Sequence, residues 1–508
     1  MNGGDRAWFE AQSIGCFTAR KNAASVERTQ RVGANLKRAV IHCRAAALHI
    51  AASKRFGSVS SRRGARDENR RVMLNRFFGL DAHGTTVRTE LLAGFTTFLT
   101  MAYIVVVNPV ILGDAGMPVA AVAAATCFAA GFGSMLMGLA SNYPLALAPG
   151  MGLNAYFTFT VVKSMGVPWQ TALGCVFISG IAFLILTLLG VRQLIMNAVP
   201  RSLFAAVAGG VGLFIAFIGL ADAGVIVAKP GTMVGLGNLT TPTAALSVLG
   251  LVVIAGLQAW RVKGAMLLGI LVTAAIGWAF GLAHITPGSY GLADLSATAF
   301  KLDVPAAFSL KGGVFLSLLE IVLVFLLVDL FDNVGTLVAV TKKAGLTAPD
   351  GSIPRLNRIL IVDSLAMTVG AMAGTSPVSS YIESAAGVAV GGRTGLTSVV
   401  VGMLFFCTLF FAPLVQAIPT AATAPALILV GGMMMGALAE VDWVEPLEAI
   451  PAFLTVIMIP LSYSIANGLA FGITSHAVLK LVRGRATWGD WLVYVLAALF
   501  VARFIYLA

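Results

Sequence analysis

From about Thr85 to the C-terminus, apolar runs alternate with short polar breaks. A helix that crosses a bilayer needs about 20 predominantly apolar residues. The candidate runs are 91–112, 120–139, 171–189, 204–220, 246–259, 266–282, 314–340, 359–373, 398–415, 425–439, 450–461, 467–481 and 491–507. Two further stretches, 145–162 and 377–391, are apolar but interrupted by Pro, Gly and polar side chains. The pattern predicts an all-α polytopic membrane protein with about 14 crossings and an extra helix at the C-terminus.

The interrupted stretches carry the most information. One reads Asn142-Tyr-Pro-Leu-Ala-Leu-Ala-Pro-Gly-Met-Gly-Leu-Asn154, the other Gly374-Thr-Ser-Pro-Val-Ser-Ser-Tyr-Ile-Glu383-Ser. Irregular backbone at membrane depth is tolerated only where it is buried in protein or lines a cavity. Each stretch follows two apolar helices in its own half of the chain. Matched interruptions of this kind point to an inverted-repeat transporter with its site between them. The alternative, a pair of re-entrant loops of structural use only, leaves the matched placement unexplained.

Composition agrees with a bilayer as solvent. Of the 508 residues 58% are apolar and 11% charged, against roughly 25% charged in soluble proteins. The mean hydropathy is +0.90. A soluble enzyme, a disordered chain and a disulfide scaffold are excluded by these values. The net charge of +12 is concentrated at the N-terminus: residues 1–80 hold 16 of the 34 Lys and Arg but 5 of the 22 Asp and Glu. That basic leader has no apolar core and is no secretory signal. It is either an organelle transit peptide or a translated upstream region, and the second reading, with the start at Met73, is preferred. The five cysteines show no paired spacing, so no metal site is expected. Lys342, Lys343, Arg355 and Arg358 share one loop, Lys480, Arg483 and Arg485 another, and Arg76 and Arg88 flank the first span. The positive-inside bias makes these ends, and the N-terminus, cytoplasmic.

Carboxylates inside apolar runs are costly and usually mark ion paths or proton relays. Asp329 and Asp332 lie on one helix face at i,i+3, Glu320 is earlier in the same run, and Glu383 sits within the second interrupted stretch. No basic residue within these runs offers a partner. Asp363, at the start of its run, reads equally as a helix-start cap and as a functional acid. No His-Glu-x-x-His, Gly-x-Ser-x-Gly or Gly-Lys phosphate-loop motif is present, so an enzyme is not expected.

The strings Asp332-Asn-Val-Gly-Thr-Leu, Gly374-Thr-Ser-Pro-Val-Ser-Ser-Tyr-Ile-Glu-Ser and Ala148-Pro-Gly-Met-Gly-Leu-Asn-Ala-Tyr-Phe resemble the AzgA-like purine permeases. So does Thr89-Glu-Leu-Leu-Ala-Gly-Phe-Thr-Thr-Phe-Leu-Thr-Met-Ala-Tyr-Ile-Val-Val-Val-Asn-Pro. This is a branch of the nucleobase/ascorbate transporter superfamily, and the resemblance runs from about Asn75 to the end. It implies fourteen spans in two inverted repeats of seven, with short strands before the broken helices 3 and 10. The division it implies is a first-repeat core domain at 73–190 and gate domain at 191–310. A second-repeat core domain at 311–415 and a gate domain with the C-terminal helix at 416–508 follow, after a leader at 1–72. Import of hypoxanthine, guanine or adenine by proton symport is the implied activity, with the proton gradient in place of a cofactor. Asn154, Asp332 and Glu383 are the implied purine contacts, with Thr336 and Ser380 in the same strings; Asp332, Asp363 and Glu383 are the proton-coupling candidates. The implied setting is an inner membrane, with purine, protons and lipid as partners, no nucleic acid, and a homodimer through the gate domain. The alternatives are a carrier or channel of the same superfold for uracil or xanthine, or for a small anion as in SulP-like transporters.

Overall fold

The computed structural model describes residues 74–190, 200–282, 292–307, 314–348, 352–485 and 490–507; the leader 1–72 lies outside them. The described residues from Phe78 onward form one compact unit. Among the described residues, nine helical stretches are long and apolar enough to cross a bilayer, and four shorter apolar helices accompany them. The chain is a helical polytopic membrane protein.

In the first half, α1 (Val87–Met101) is capped by Thr86, whose side chain accepts the Thr89 N–H. It runs through a break at Ala102–Tyr103 into α2 (Ile104–Gly113). After α3 (Val119–Ser141) the first interrupted stretch forms strand β1 (Leu147–Pro149), the short helix α4 (Met151–Ala155) and a π-helical segment Tyr156–Ser164. Next come α5 (Trp169–Leu188), α6 (Arg201–Asp222), a hairpin of β2 (Ile226–Lys229) and β3 (Met233–Leu236), α7 (Pro242–Ala259) and α8 (Ala265–Ala279). The second half opens with α9 (Val314–Ala344) and α10 (Leu356–Ala373), followed by β4 (Val378–Ser380) and α11 (Ser384–Val390). It closes with α12 (Gly395–Thr408), α13 (Thr420–Met434), α14 (Pro446–Leu461), α15 (Ile465–Val482) and α16 (Trp491–Leu507).

Packing sorts these helices by position rather than by order. α1, α2, α3 and α5 pack with α9, α10 and α12, whereas α6, α7 and α8 pack with α13 and α14, and α15 and α16 join that second group. Each group therefore draws on both halves of the sequence. The segment before α9 lies against the first group: the Asp303 N–H donates to the Gln170 carbonyl, and that of Phe300 to the Met372 carbonyl.

Long-range polar ties gather one end of the molecule. Asn142 donates to the Phe78 carbonyl and accepts the Gly395 N–H. The Tyr143 hydroxyl donates to the Pro354 carbonyl, and Arg355 reaches that of Ser141. Beside them the buried Glu90 carboxylate on α1 accepts the N–H groups of Arg393, Thr394 and Thr397 and the Thr397 hydroxyl. A carboxylate at a helix N-terminus satisfies donors that have no intrahelical partner, so Glu90 closes the start of α12 from across the fold. Elsewhere Glu445 caps α14; the Leu447 N–H first, and Arg483 second, hold its carboxyl below the usual range. Two further contacts involve the end of the first interrupted stretch: Lys163 pairs with Asp114 at 3.2 Å, and the Thr160 hydroxyl donates to the Tyr463 carbonyl at 2.8 Å.

Candidate functional site

The interrupted stretches meet each other. β1 and β4 pair antiparallel, with Leu147 opposite Ser380, Ala148 opposite Ser379 and Pro149 opposite Val378. The Gly150 N–H to the Pro377 carbonyl and the Tyr381 N–H to the Ala146 carbonyl, both at 2.9 Å, extend the ladder. Extended backbone in an apolar interior must find partners or lose several kcal/mol per group. Hydroxyls satisfy the outer edges. Ser134 lies 2.9 Å from both the N and the O of Leu147, Ser384 accepts the Ala146 N–H, and Tyr381 donates to the Pro149 carbonyl. Gly374 ends α10 at φ +92°, where an added Cβ would also meet Thr298, and so releases the chain into β4. A Cβ at Gly150 would lie 2.8 Å from the Ser379 hydroxyl, which would have to shift.

The sequence-predicted residues then fall as follows. Asn154 lies within the first stretch on α4, fully buried, and the Ser376 hydroxyl donates to its side-chain oxygen. Ser376 also reaches Asn108 on α2, which donates to Thr126 and to Thr375 at 2.7 and 2.9 Å. A buried hydroxyl–amide network thus joins α2, α3 and both interrupted stretches. Asp332 on α9 accepts from the Ser379 hydroxyl at 3.3 Å. Glu383 stands just before α11, in the cap position but without a capping bond, and accepts from the Tyr103 hydroxyl at 2.7 Å. Glu383 and Asp363 both act electrostatically on Asp332, so three acids share one region.

Asp363 is not a helix-start cap. α10 begins at Leu356, which leaves Asp363 buried well inside the helix. Thr336 is buried one turn beyond Asp332 on α9. Ser380 is buried too, but its hydroxyl has no hydrogen-bond partner among the described residues; its neighbour Ser379 makes the contact with Asp332. Tyr103, Ser376, Ser379 and Asn108 were absent from the sequence-level candidates, although all four lie in the quoted strings.

A narrow cleft with a cavity volume of about 10 Å³ opens beside these groups, lined by Gly152, Leu153, Val207, Ala208, Val211, Val328, Asp332 and Met434. Asp332 is the charged residue in that lining, and the rest is small or apolar. Gly152 permits the close approach of α4 to α6, since a Cβ there would lie 2.4 Å from a Val211 methyl. Phe331 packs edge-to-face on Phe204, ring centres 4.7 Å apart, and fastens the helix bearing Asp332 to α6. The site has the form of an apolar slot between helices, with the Asp332 carboxylate at one wall, while Glu383 and Asn154, each bonded to a hydroxyl, lie on the paired interrupted stretches. Among the described residues no cluster of His, Cys, Asp and Glu is suited to a metal ion.

Strand-preceded short helices that meet inside a helical membrane protein define a transporter architecture. The transmembrane domain of a cyanobacterium bicarbonate transporter, BicA, has the same fold: the match covers 76% of this chain and 97% of that one, with a TM-score of 0.57 and 14% identity. The chain itself belongs to the permease family, whose model matches residues 88–506. It is 47% identical to the adenine permease AdeP of Escherichia coli (strain K12) over 86% of this chain and 96% of that protein. It is 44% identical to the guanine/hypoxanthine permease PbuO of Bacillus subtilis (strain 168), over 83% and 98% respectively.

Proposed function

We propose that this protein imports purine nucleobases across the inner membrane by proton symport. The observation that supports this reading is that Asp332 lines the slot beside the paired interrupted stretches that carry Asn154 and Glu383, and that Asp332 and Glu383 each accept from a neutral hydroxyl. The adenine and guanine/hypoxanthine permeases among its relatives support the substrate class.

A purine is flat and neutral, with ring N–H donors, ring-nitrogen acceptors and an oxo or amino group. Carboxylates accept those N–H groups, and the Asn154 amide completes the pattern. The apolar walls, Val207, Val211 and Val328, suit the faces of the ring. In the mechanism we infer, Asp332 and Glu383 bind the purine, and Asp332, Glu383 or Asp363 takes up the coupled proton. Protonation neutralises a charge that is expensive in the membrane interior, which lets the loaded site move. A purine carried with one proton moves a net positive charge, driven inward by about 2.3 kcal/mol per 100 mV.

The moving parts in this reading are a core domain of 73–190 and 311–415 and a gate domain of 191–310 and 416–508. The two packed helix groups, each drawn from both halves, support it, as does an element order compatible with seven plus seven spans. The N-terminus is read as cytoplasmic, with Lys342, Lys343, Arg355 and Arg358 on the same side, and a dimer would form through the gate domain. An anion carrier is disfavoured, because the slot presents the Asp332 carboxylate and its lining, among the described residues, includes no Lys or Arg.

The deciding experiment is uptake of labelled hypoxanthine into vesicles, competed by adenine, guanine, uracil and sulfate. Purines should compete and sulfate should not, and uptake should rise with an inward proton gradient and collapse with an uncoupler. Uptake that followed sodium and ignored protons would remove the symport mechanism.

A further inference from the structure

We propose that Tyr103 is a positioning residue for Glu383, fixing which carboxylate oxygen faces the ligand. The inference rests on the purine-site reading above and adds a residue outside it. Tyr103 stands at the break between α1 and α2, is 1% exposed, and donates its hydroxyl to Glu383 Oε1 at 2.7 Å across 280 residues of sequence. No other side chain donates to Glu383 among the described residues. One oxygen is therefore held by a buried phenol, beside the bond that the residue's own backbone N–H makes to the carboxylate, and in this proposal Oε2 is the oxygen offered to the ligand.

The arrangement has a parallel one strand away, where the Ser379 hydroxyl holds Asp332 Oδ2. In both acids a neutral hydroxyl occupies one oxygen. A neutral donor orients a carboxylate without neutralising it, whereas an Arg or Lys would do both and compete with the ligand. Glu383 needs such support. It sits on a turn between a three-residue strand and a seven-residue helix, and its flexible side chain would otherwise have to be ordered by the ligand itself. Supplying that ordering in advance is a gain in affinity rather than in maximal rate.

Tyr103→Phe keeps the buried ring and deletes the donor. The hypoxanthine dissociation constant of the purified protein should rise about tenfold, with the uptake KM rising alike and the maximal rate held within about twofold. The discriminating measurement adds Glu383→Gln. In that variant Tyr103 still holds the side-chain oxygen, so the NH₂ faces the ligand and binding falls. Removing the hydroxyl as well frees the amide to turn its oxygen to the purine. The double variant should then bind at least as tightly as Glu383→Gln alone, which a merely structural tyrosine would not produce. Wild-type affinity in Tyr103→Phe, or losses that multiply in the double variant, would overturn the proposal. Should Glu383→Gln fall beyond the measurable range, the Tyr103→Phe constant decides. Failure of the site reading itself shows separately, as wild-type affinity in Glu383→Gln.

Discussion

The two interrupted stretches contribute equal strands to one ladder and then diverge. After β1 the chain continues as helix through Asn154 into a π-helical segment, and Asn154 is sealed from solvent among Ser376, Met151 and their neighbours. After β4 it turns, exposes Glu383 partly, and stops after one short helix at Gly391 in the left-handed conformation. The amide is thus packed into the wall with its oxygen bonded to Ser376, and the acid stands on the open side. A neutral amide can be buried at the cost of its hydrogen bonds alone, whereas a carboxylate needs water, a proton or a ligand within reach. The comparison teaches a difference in construction: the first stretch buries a neutral amide in the wall, and the second leaves a carboxylate partly exposed.

The largest effect that tests this difference is on the acids. Glu383→Gln should weaken hypoxanthine binding by about one to two decades, since an N–H of the purine then meets a donor, a mispairing of about 1–3 kcal/mol. Asp332→Asn should do likewise, while Glu320→Gln, near the start of the same helix, should transport nearly normally at matched membrane abundance. Next comes the ladder. Gly150→Ala would place a Cβ 2.8 Å from the Ser379 hydroxyl, and we expect a loss of about 1–3 kcal/mol in stability from overpacking, read as a lower melting temperature of the purified protein. Smallest is Ser376→Ala, which takes one donor from the Asn154 wall. A single lost hydrogen bond there should cost about 1 kcal/mol of stability and leave affinity within about fivefold. A Ser376→Ala defect in binding larger than that of Glu383→Gln would reverse the assignment of roles.

Much of this was legible in the chain. The apolar runs marked the helices, and the Pro, Gly and Ser content of 145–162 and 377–391 marked where helix would fail. Asp332 and Glu383 stood out because charge in an apolar run is rare. What stayed hidden was set by register and by distance. Side chains alternate along a strand, so a one-residue shift separates Ser379, which meets Asp332, from Ser380, which does not; strands of three residues carry too little pattern to fix that. Tyr103 and Asn108 looked like ordinary members of a hydrophobic helix, since their partners are 280 and 267 residues away. Asp363 was ambiguous because the polar turn of α10 from Leu356 onward, with Asn357 and Arg358, reads as loop until the helix is seen to include it.

The β1–β4 ladder also sets a schedule for biogenesis. Leu147 pairs with Ser380, so the first strand is synthesised long before its partner exists. At about 5–20 residues per second the wait is roughly 10–45 s, during which polar backbone would stand open inside a nascent apolar bundle. Ser134 lies on the preceding helix and contacts both polar groups of Leu147, a partner already available from the same half. It can serve as a placeholder that keeps the strand extended until translation reaches Val378. Slowing synthesis between α5 and α9 should therefore burden a Ser134→Ala chain far more than the native one.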